Sequence, residues 1–159
     1  MARRKRRKTD QQCIYDISVD DWSVCVRFND YAYINVFDRE EFEEHICMIL
    51  EGCITSTTSK KLKKILASRV ILHPGDFWYE KEKLRDDLHI IGNAAIMKAN
   101  TFDDKEDTLY FWVNVPTKTY ENIKDYLIYK GKAKICLVGT ELFRRKGEIR
   151  YLGFEKWPS

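Results

Sequence analysis

Hydrophobic and polar residues alternate over Trp22 to Phe37 with one interruption. Trp22, Val24, Val26 and Phe28 are separated by Ser23, Cys25 and Arg27, and beyond Asn29-Asp30 the residues Tyr31, Tyr33, Asn35 and Phe37 alternate with Ala32, Ile34 and Val36. A period of two marks a half-buried strand, and Asn and Asp tolerate the positive φ of a tight turn. The pattern predicts a β-hairpin with a two-residue loop, Phe28 facing Tyr31 and Val26 facing Tyr33. The period then lengthens. Phe42, Ile46, Ile49 and Leu50 recur at helical spacing behind a capping Asp38, with Glu41 completing a capping box and Phe37 and Phe42 a hydrophobic staple. A helix ending at Gly52 is predicted.

Further along, Leu62, Ile65, Leu66 and Val70 share one face of a second predicted helix starting near Ser59, and His73-Pro74-Gly75 stops it. Residues 77–88 suit a helix, a strand or an exposed loop. The last 70 residues read as strand, strand, helix, strand, strand. Ile90 to Ala99 and Thr108 to Val115 flank an acidic loop with Asp103, Asp104, Glu106 and Asp107; Thr119 to Lys130 is helical and stopped by Gly131; Lys134 to Phe143 and Glu148 to Trp157 form a hairpin over Arg144-Arg145-Lys146-Gly147. Ile34-Asn35-Val36 leads to Gly52 at the same separation as Val113-Asn114-Val115 leads to Gly131, a faint internal duplication.

These elements predict one α+β domain over residues 13–159, a mostly antiparallel sheet or partly open barrel with two or three packed helices. With Arg69 to His73 as a short leading strand, residues 68–158 carry three strands, a helix and two strands, the order of an OB-type barrel. A chain of 159 residues is long enough to bury such a core without covalent staples.

Charge changes the picture at the N-terminus. Arg3, Arg4, Lys5, Arg6, Arg7 and Lys8 form an unbroken basic run, and such a run repels itself until a polyanion neutralises it, so residues 1–12 read as a disordered basic arm. Lys and Arg total 28 against 25 Asp and Glu; without the arm the bases fall to 22, leaving a net −3. Residues 9–51 hold eleven acids and two bases, residues 52–159 fourteen acids and twenty bases. Sign is therefore segregated along the chain, unless the blocks interleave in three dimensions. Five irregularly spaced cysteines, Cys13, Cys25, Cys47, Cys53 and Cys136, suit a reducing, intracellular compartment, and no apolar stretch reaches the roughly 20 residues of a membrane span.

The candidate chemistry is nucleic-acid binding. In the strand Thr108 to Val115, Tyr110 and Trp112 project opposite Leu109, Phe111 and Val113; such rings either stack unpaired bases or belong to the core. Lys60, Lys61, Lys63 and Lys64 make a basic cluster that either meets phosphates or is merely solvated, while Arg144, Arg145, Lys146, Arg150 and Lys134 are candidates to hold a backbone. His45, Cys47 and Cys53 group without completing a metal site, and no phosphate-cradling glycine loop or nucleophile elbow occurs. No cofactor is implied.

The first reading is a non-enzymatic nucleic-acid-binding or nucleic-acid-associated module, intracellular, in the nucleus if the source is eukaryotic or viral and otherwise in the cytoplasm. The alternative is a protein-interaction or regulatory protein whose acidic segment 9–51 faces a basic partner and whose arm is a nuclear-import address. The third is a small metal-dependent nuclease using carboxylates from Asp76, Glu80 and Glu82 beside Lys83, or from the loop with Asp103 and Asp104.

Overall fold

A computed structural model describes residues 11–28, 44–62, 65–75, 90–100 and 104–156. They form strands β1 (Gln12–Phe28), β2 (Glu44–Thr57), β3 (Ala67–Pro74), β4 (Gly92–Met97) and β5 (Thr108–Val115), helix α1 (Thr117–Lys130), and strands β6 (Ala133–Thr140) and β7 (Lys146–Lys156). The strands close into a barrel in the order β1, β2, β3, β5, β4, β7, β6. Every neighbouring pair is antiparallel except β3 and β5, which run parallel.

This overturns the α+β expectation. Among the described residues there is one helix, and the barrel is closed. The helix expected up to Gly52 is β2 from Glu44 onward, paired with β1 from Phe28↔Glu44 to Tyr15↔Thr57. The run Ile46 to Glu51 satisfies both periods, because Met48 and Leu50 alternate with Cys47 and Ile49 as readily as Ile46, Ile49 and Leu50 share a helical face. Ladders with β1 on one side and β3 on the other decide between them, since strand formation follows cross-strand packing more than local preference. Phe28 therefore lies opposite Glu44, and Val26 opposite Ile46, instead of Tyr31 and Tyr33. The turn at Asn29-Asp30, the second hairpin strand and the capping residues lie outside the described residues. With Gly52 inside a strand, the suggested duplication with the helix ending at Gly131 fails.

The second expected helix is likewise a turn at Lys60-Lys61 followed by β3. Ser68, Val70 and Leu72 alternate with Arg69, Ile71 and His73, and this period places the first three on the buried side. The OB-type order over residues 68–158 fails for a topological reason: β5 inserts between β3 and β4, and β1 and β2 complete the same barrel. Residues 77–88 lie outside the described residues.

Alternation fills the interior. Tyr15, Ile17 and Val19 from β1, Met48 and Leu50 from β2, Val70 and Leu72 from β3, Leu109, Phe111 and Val113 from β5, and Ile135 and Leu137 from β6 are essentially inaccessible. Tyr15 meets Phe111 edge to face with ring centroids 5.1 Å apart. α1 follows Pro116 and stops at Gly131, whose φ of 73° lets its N–H reach the Leu127 carbonyl at 2.7 Å. Its Tyr120, Ile123 and Leu127 join the core at the end of the barrel where β5 finishes and β6 begins.

β1 is long enough to pair with β6 over Gln12–Val19 and with β2 over Tyr15–Phe28, and register shifts at Asp16/Ile17 and Val19/Asp21 accommodate the turn between them. Gly52 sits opposite Val19, where a Cβ would lie 1.9 Å from the Ser18 carbonyl oxygen. A side chain there must push the two walls apart. Gly52→Ala is expected to lower unfolding stability by roughly 3 kcal/mol in urea titration, the scale of an overpacked site. Gly75→Ala, where a Cβ meets nothing within 4 Å, should stay within about 0.5 kcal/mol.

Candidate nucleic-acid interface at one end of the barrel

Strand direction decides which loops meet. The start of β1, the end of β2, the start of β3, the end of β4, the start of β5, the end of β6 and the start of β7 all lie at one mouth of the barrel. The basic arm enters the fold at Gln11, Lys60 and Lys61 lie in the β2–β3 connection, and Arg144, Arg145 and Lys146 make the β6–β7 turn. Segments far apart in sequence thus share this mouth. Since β1 stands between β2 and β6 in the barrel, the arm joins the fold between the other two basic segments.

Hydrogen bonds hold these three together. The Glu141 amide donates to the Gln11 carbonyl at 2.9 Å, and the Thr58 amide donates to the Ile14 carbonyl at 3.1 Å, gripping the first residues of β1 from both sides. The Glu141 carboxylate accepts from Ser59 Oγ at 2.6 Å, from the Lys60 amide at 3.3 Å and from the Leu142 amide at 3.0 Å. Two of these bonds tie the β2–β3 turn to the residue preceding the β6–β7 turn. One hydroxyl and two amides stabilise this carboxylate without cancelling its charge, so Glu141 organises the two turns at the expense of one negative charge among the lysines and arginines.

The β6–β7 turn departs from ordinary turn chemistry. Arg144 has φ 50° and Arg145 φ 68°, while Phe143 and Lys146 exchange backbone hydrogen bonds at 2.8 and 3.1 Å. Two consecutive left-handed residues make a two-residue hairpin turn of the kind that Asn-Gly fills at little cost. Arginine carries a Cβ that opposes this conformation. All four residues Phe143 to Lys146 are exposed; the Phe143 ring is 56% accessible, and the Arg144 guanidinium lies over it at 5.2 Å from the centroid. The Arg145 carbonyl accepts from Ile96 of β4 at 2.9 Å, which fixes the turn against the barrel. Alternation alone makes Phe143 the end of a strand and passes over it as a site residue; its place beside Arg144-Arg145-Lys146 is the signal that an exposed ring lies among cations.

The other proposed residues fall elsewhere. Tyr110 and Trp112 do lie outside the barrel, opposite Phe111 and Val113, and stack on each other at 5.5 Å, but Tyr110 is only 3% accessible. Its hydroxyl donates to Asp104 Oδ2 and accepts from Arg69 Nη1 at 3.1 Å. Arg69 in turn pairs with Asp104 at 2.9 Å and Glu51 at 3.3 Å, and burial together with the Asp104 hydrogen bond pushes the Tyr110 phenol up to about 12. Tyr110 is occupied by its own neighbours and offers no free face. Trp112 is half-buried. Arg150 is half-buried on β7 with Nη2 3.4 Å from Glu148, and Lys134 opens β6 at the opposite mouth. Lys63, Lys64 and residues 3–8 lie outside the described residues.

The acidic residues are partly spoken for. Asp104 is bound to Arg69 and Tyr110, and Asp107 accepts the Ala99 amide at 2.8 Å. A cleft of about 190 Å³ beside them is lined by Glu51, Arg69, Asp104, Lys105 and Glu106 among others. Among the described residues no three His, Cys, Asp or Glu side chains come together as a metal site. Asp76, Glu80, Glu82, Lys83 and Asp103 lie outside the described residues. Cys47 sits on a strand and not on the helix expected for it.

Replacing Arg144 and Arg145 together by Asn and Gly restores the residues this turn prefers. The double variant is expected to be more stable than the natural chain by about 1 to 2 kcal/mol in denaturant titration; an unchanged or lower stability would show that the arginine side chains compensate the backbone.

No known protein family, curated protein or solved structure matches the chain.

Proposed function

We propose that this protein binds nucleic acid end-on, through the barrel mouth that carries the root of the arm, the Lys60-Lys61 turn and the Arg144-Arg145-Lys146 turn. The observation that supports it best is the convergence of two basic turns, tied by Glu141, on the mouth where β1 begins. Basic side chains that neutralise phosphates release condensed counterions, so a compact cluster with a charged extension gains affinity without reading sequence. Arginine adds a planar fork that engages two phosphate oxygens at once. The left-handed Arg144-Arg145 pair favours a role in binding, because a turn selected for stability alone would use Asn-Gly.

Charge elsewhere sets orientation. Asp20 and Asp21 are exposed on β1, away from the mouth, and Glu51 lies on the neighbouring β2. Glu106 and Asp107 are exposed in the β4–β5 connection at the same mouth, across the rim from β1, so a polyanion is drawn to the side of the mouth where β1 stands between the two basic turns. Phe143 supplies an accessible ring on which an unpaired base can stack once Arg144 swings to a phosphate.

Binding to a labelled oligonucleotide is expected to weaken steeply with salt. Deleting residues 3–8, or replacing Arg144, Arg145 and Lys146 by Ala, should each reduce the magnitude of the log K against log[salt] slope by about 0.7 to 0.9 for every phosphate that is no longer neutralised. Replacing Lys118 and Lys132, both exposed at the opposite mouth, should leave the slope unchanged. Equal effects from both mouths, or binding insensitive to salt, would sink the end-on reading; a protein partner that survives nuclease treatment in a pull-down would favour the interaction reading instead.

Phe143→Ala separates stacking from charge. It should lower affinity for a single strand by roughly 1 to 3 kcal/mol while leaving the salt slope intact, with unfolding stability altered by no more than about 0.5 kcal/mol.

A further inference from the structure

We infer that Cys25 and Cys47 form an oxidisable dithiol, a site of covalent modification that closes to a disulfide across the β1–β2 ladder. The register places Cys25 directly opposite Cys47. Opposed residues in an antiparallel ladder project to the same face with Cα atoms about 4.5 to 5.5 Å apart, inside the range that a disulfide spans without backbone movement. Both residues are half-exposed and both are thiols in this structure. Met48 and Leu50 line the interior, so Cys47 belongs to the outer face with Ile49 and Glu51, half-exposed and close enough to Tyr120 of α1 to act on its hydroxyl.

The other three cysteines are not so arranged. Cys13 is buried opposite Gly139, Cys53 faces Ser18 and Ala67, and Cys136 faces Asp16 and Gly153. The register therefore singles out one pair among five.

The oxidant is a low-molecular-weight disulfide such as glutathione disulfide. One protein thiolate attacks it, forming a mixed disulfide and releasing one glutathione thiol. The opposing cysteine then attacks the protein-side sulfur and releases the second. Two protein thiols are oxidised to one disulfide while glutathione disulfide is reduced to two thiols, with the two cysteine protons passing to the leaving groups. The bond closes a covalent ring through residues 26–46.

The test equilibrates the native, full-length protein with glutathione disulfide and counts reactive thiols. Two of the five thiols are expected to disappear, and digestion without reductant should yield a peptide pair joined through Cys25 and Cys47. Oxidation should raise the urea midpoint, and dithiothreitol should return it. Cys53→Ser should still lose two thiols and show the same shift, whereas Cys25→Ser and Cys47→Ser should show no internal link and no shift. An unchanged thiol count overturns the proposal, as does glutathione retained on a single cysteine or a link through any other cysteine.

Discussion

Barrel closure is the constraint on which the other features depend, and it rests on β1. The segment Tyr15–Val19 is hydrogen-bonded on both edges, to β2 and to β6, so a strand near one end of the chain joins its nearest neighbour in sequence to a strand that begins at residue 133. A closed sheet leaves no unpaired edge, but it demands that the long strand bend. The register shifts along β1, and the absence of a side chain at Gly52, provide that bend. The interior then fills by simple alternation. Burying an apolar face on every strand supplies the driving force, at about 25 cal/mol per Å² removed from water.

Closure also creates the mouth. No single segment of this protein is an evident binding motif once the arm is set aside, and Lys60 lies more than eighty residues from Arg144 in sequence. The β1–β2 and β1–β6 pairings convert that separation into adjacency, and Glu141 locks it. The same carboxylate that organises the two turns keeps its negative charge, so the organisation offsets one of the basic groups it brings together. Stability and charge are arranged against each other at Arg144 and Arg145, where a strained backbone holds two guanidinium groups outward.

What the sequence made legible was local and two-periodic. Thr108–Val115 shows its alternation without rival, and α1 has both an apolar stripe and a glycine stop, so both elements lie close to where the pattern puts them. The failures share one cause. Ile46 to Leu50 and Leu62 to Val70 contain apolar residues dense enough to fit either period, and partners remote in sequence chose the strand. The site was half legible: the basic character of residues 144–146 is plain in one dimension, but their convergence with Lys60 and the arm root depends on β1 pairing with both β2 and β6, which no local signal announces. Tyr110 looked available because Arg69 and Asp104, its covering partners, are 41 and 6 residues away.

The double pairing of β1 has a consequence during synthesis. β2 follows β1 closely and can pair with it early, but the opposite edge of Gln12–Val19 has no partner until β6 has left the ribosome. For most of translation the nascent chain therefore carries an open strand edge, the feature that invites pairing between molecules. The six charges of the arm lie immediately upstream of that edge. Like charges on neighbouring chains repel, so the segment proposed to grip a polyanion in the finished protein also acts as a guard against self-association while the barrel is still open.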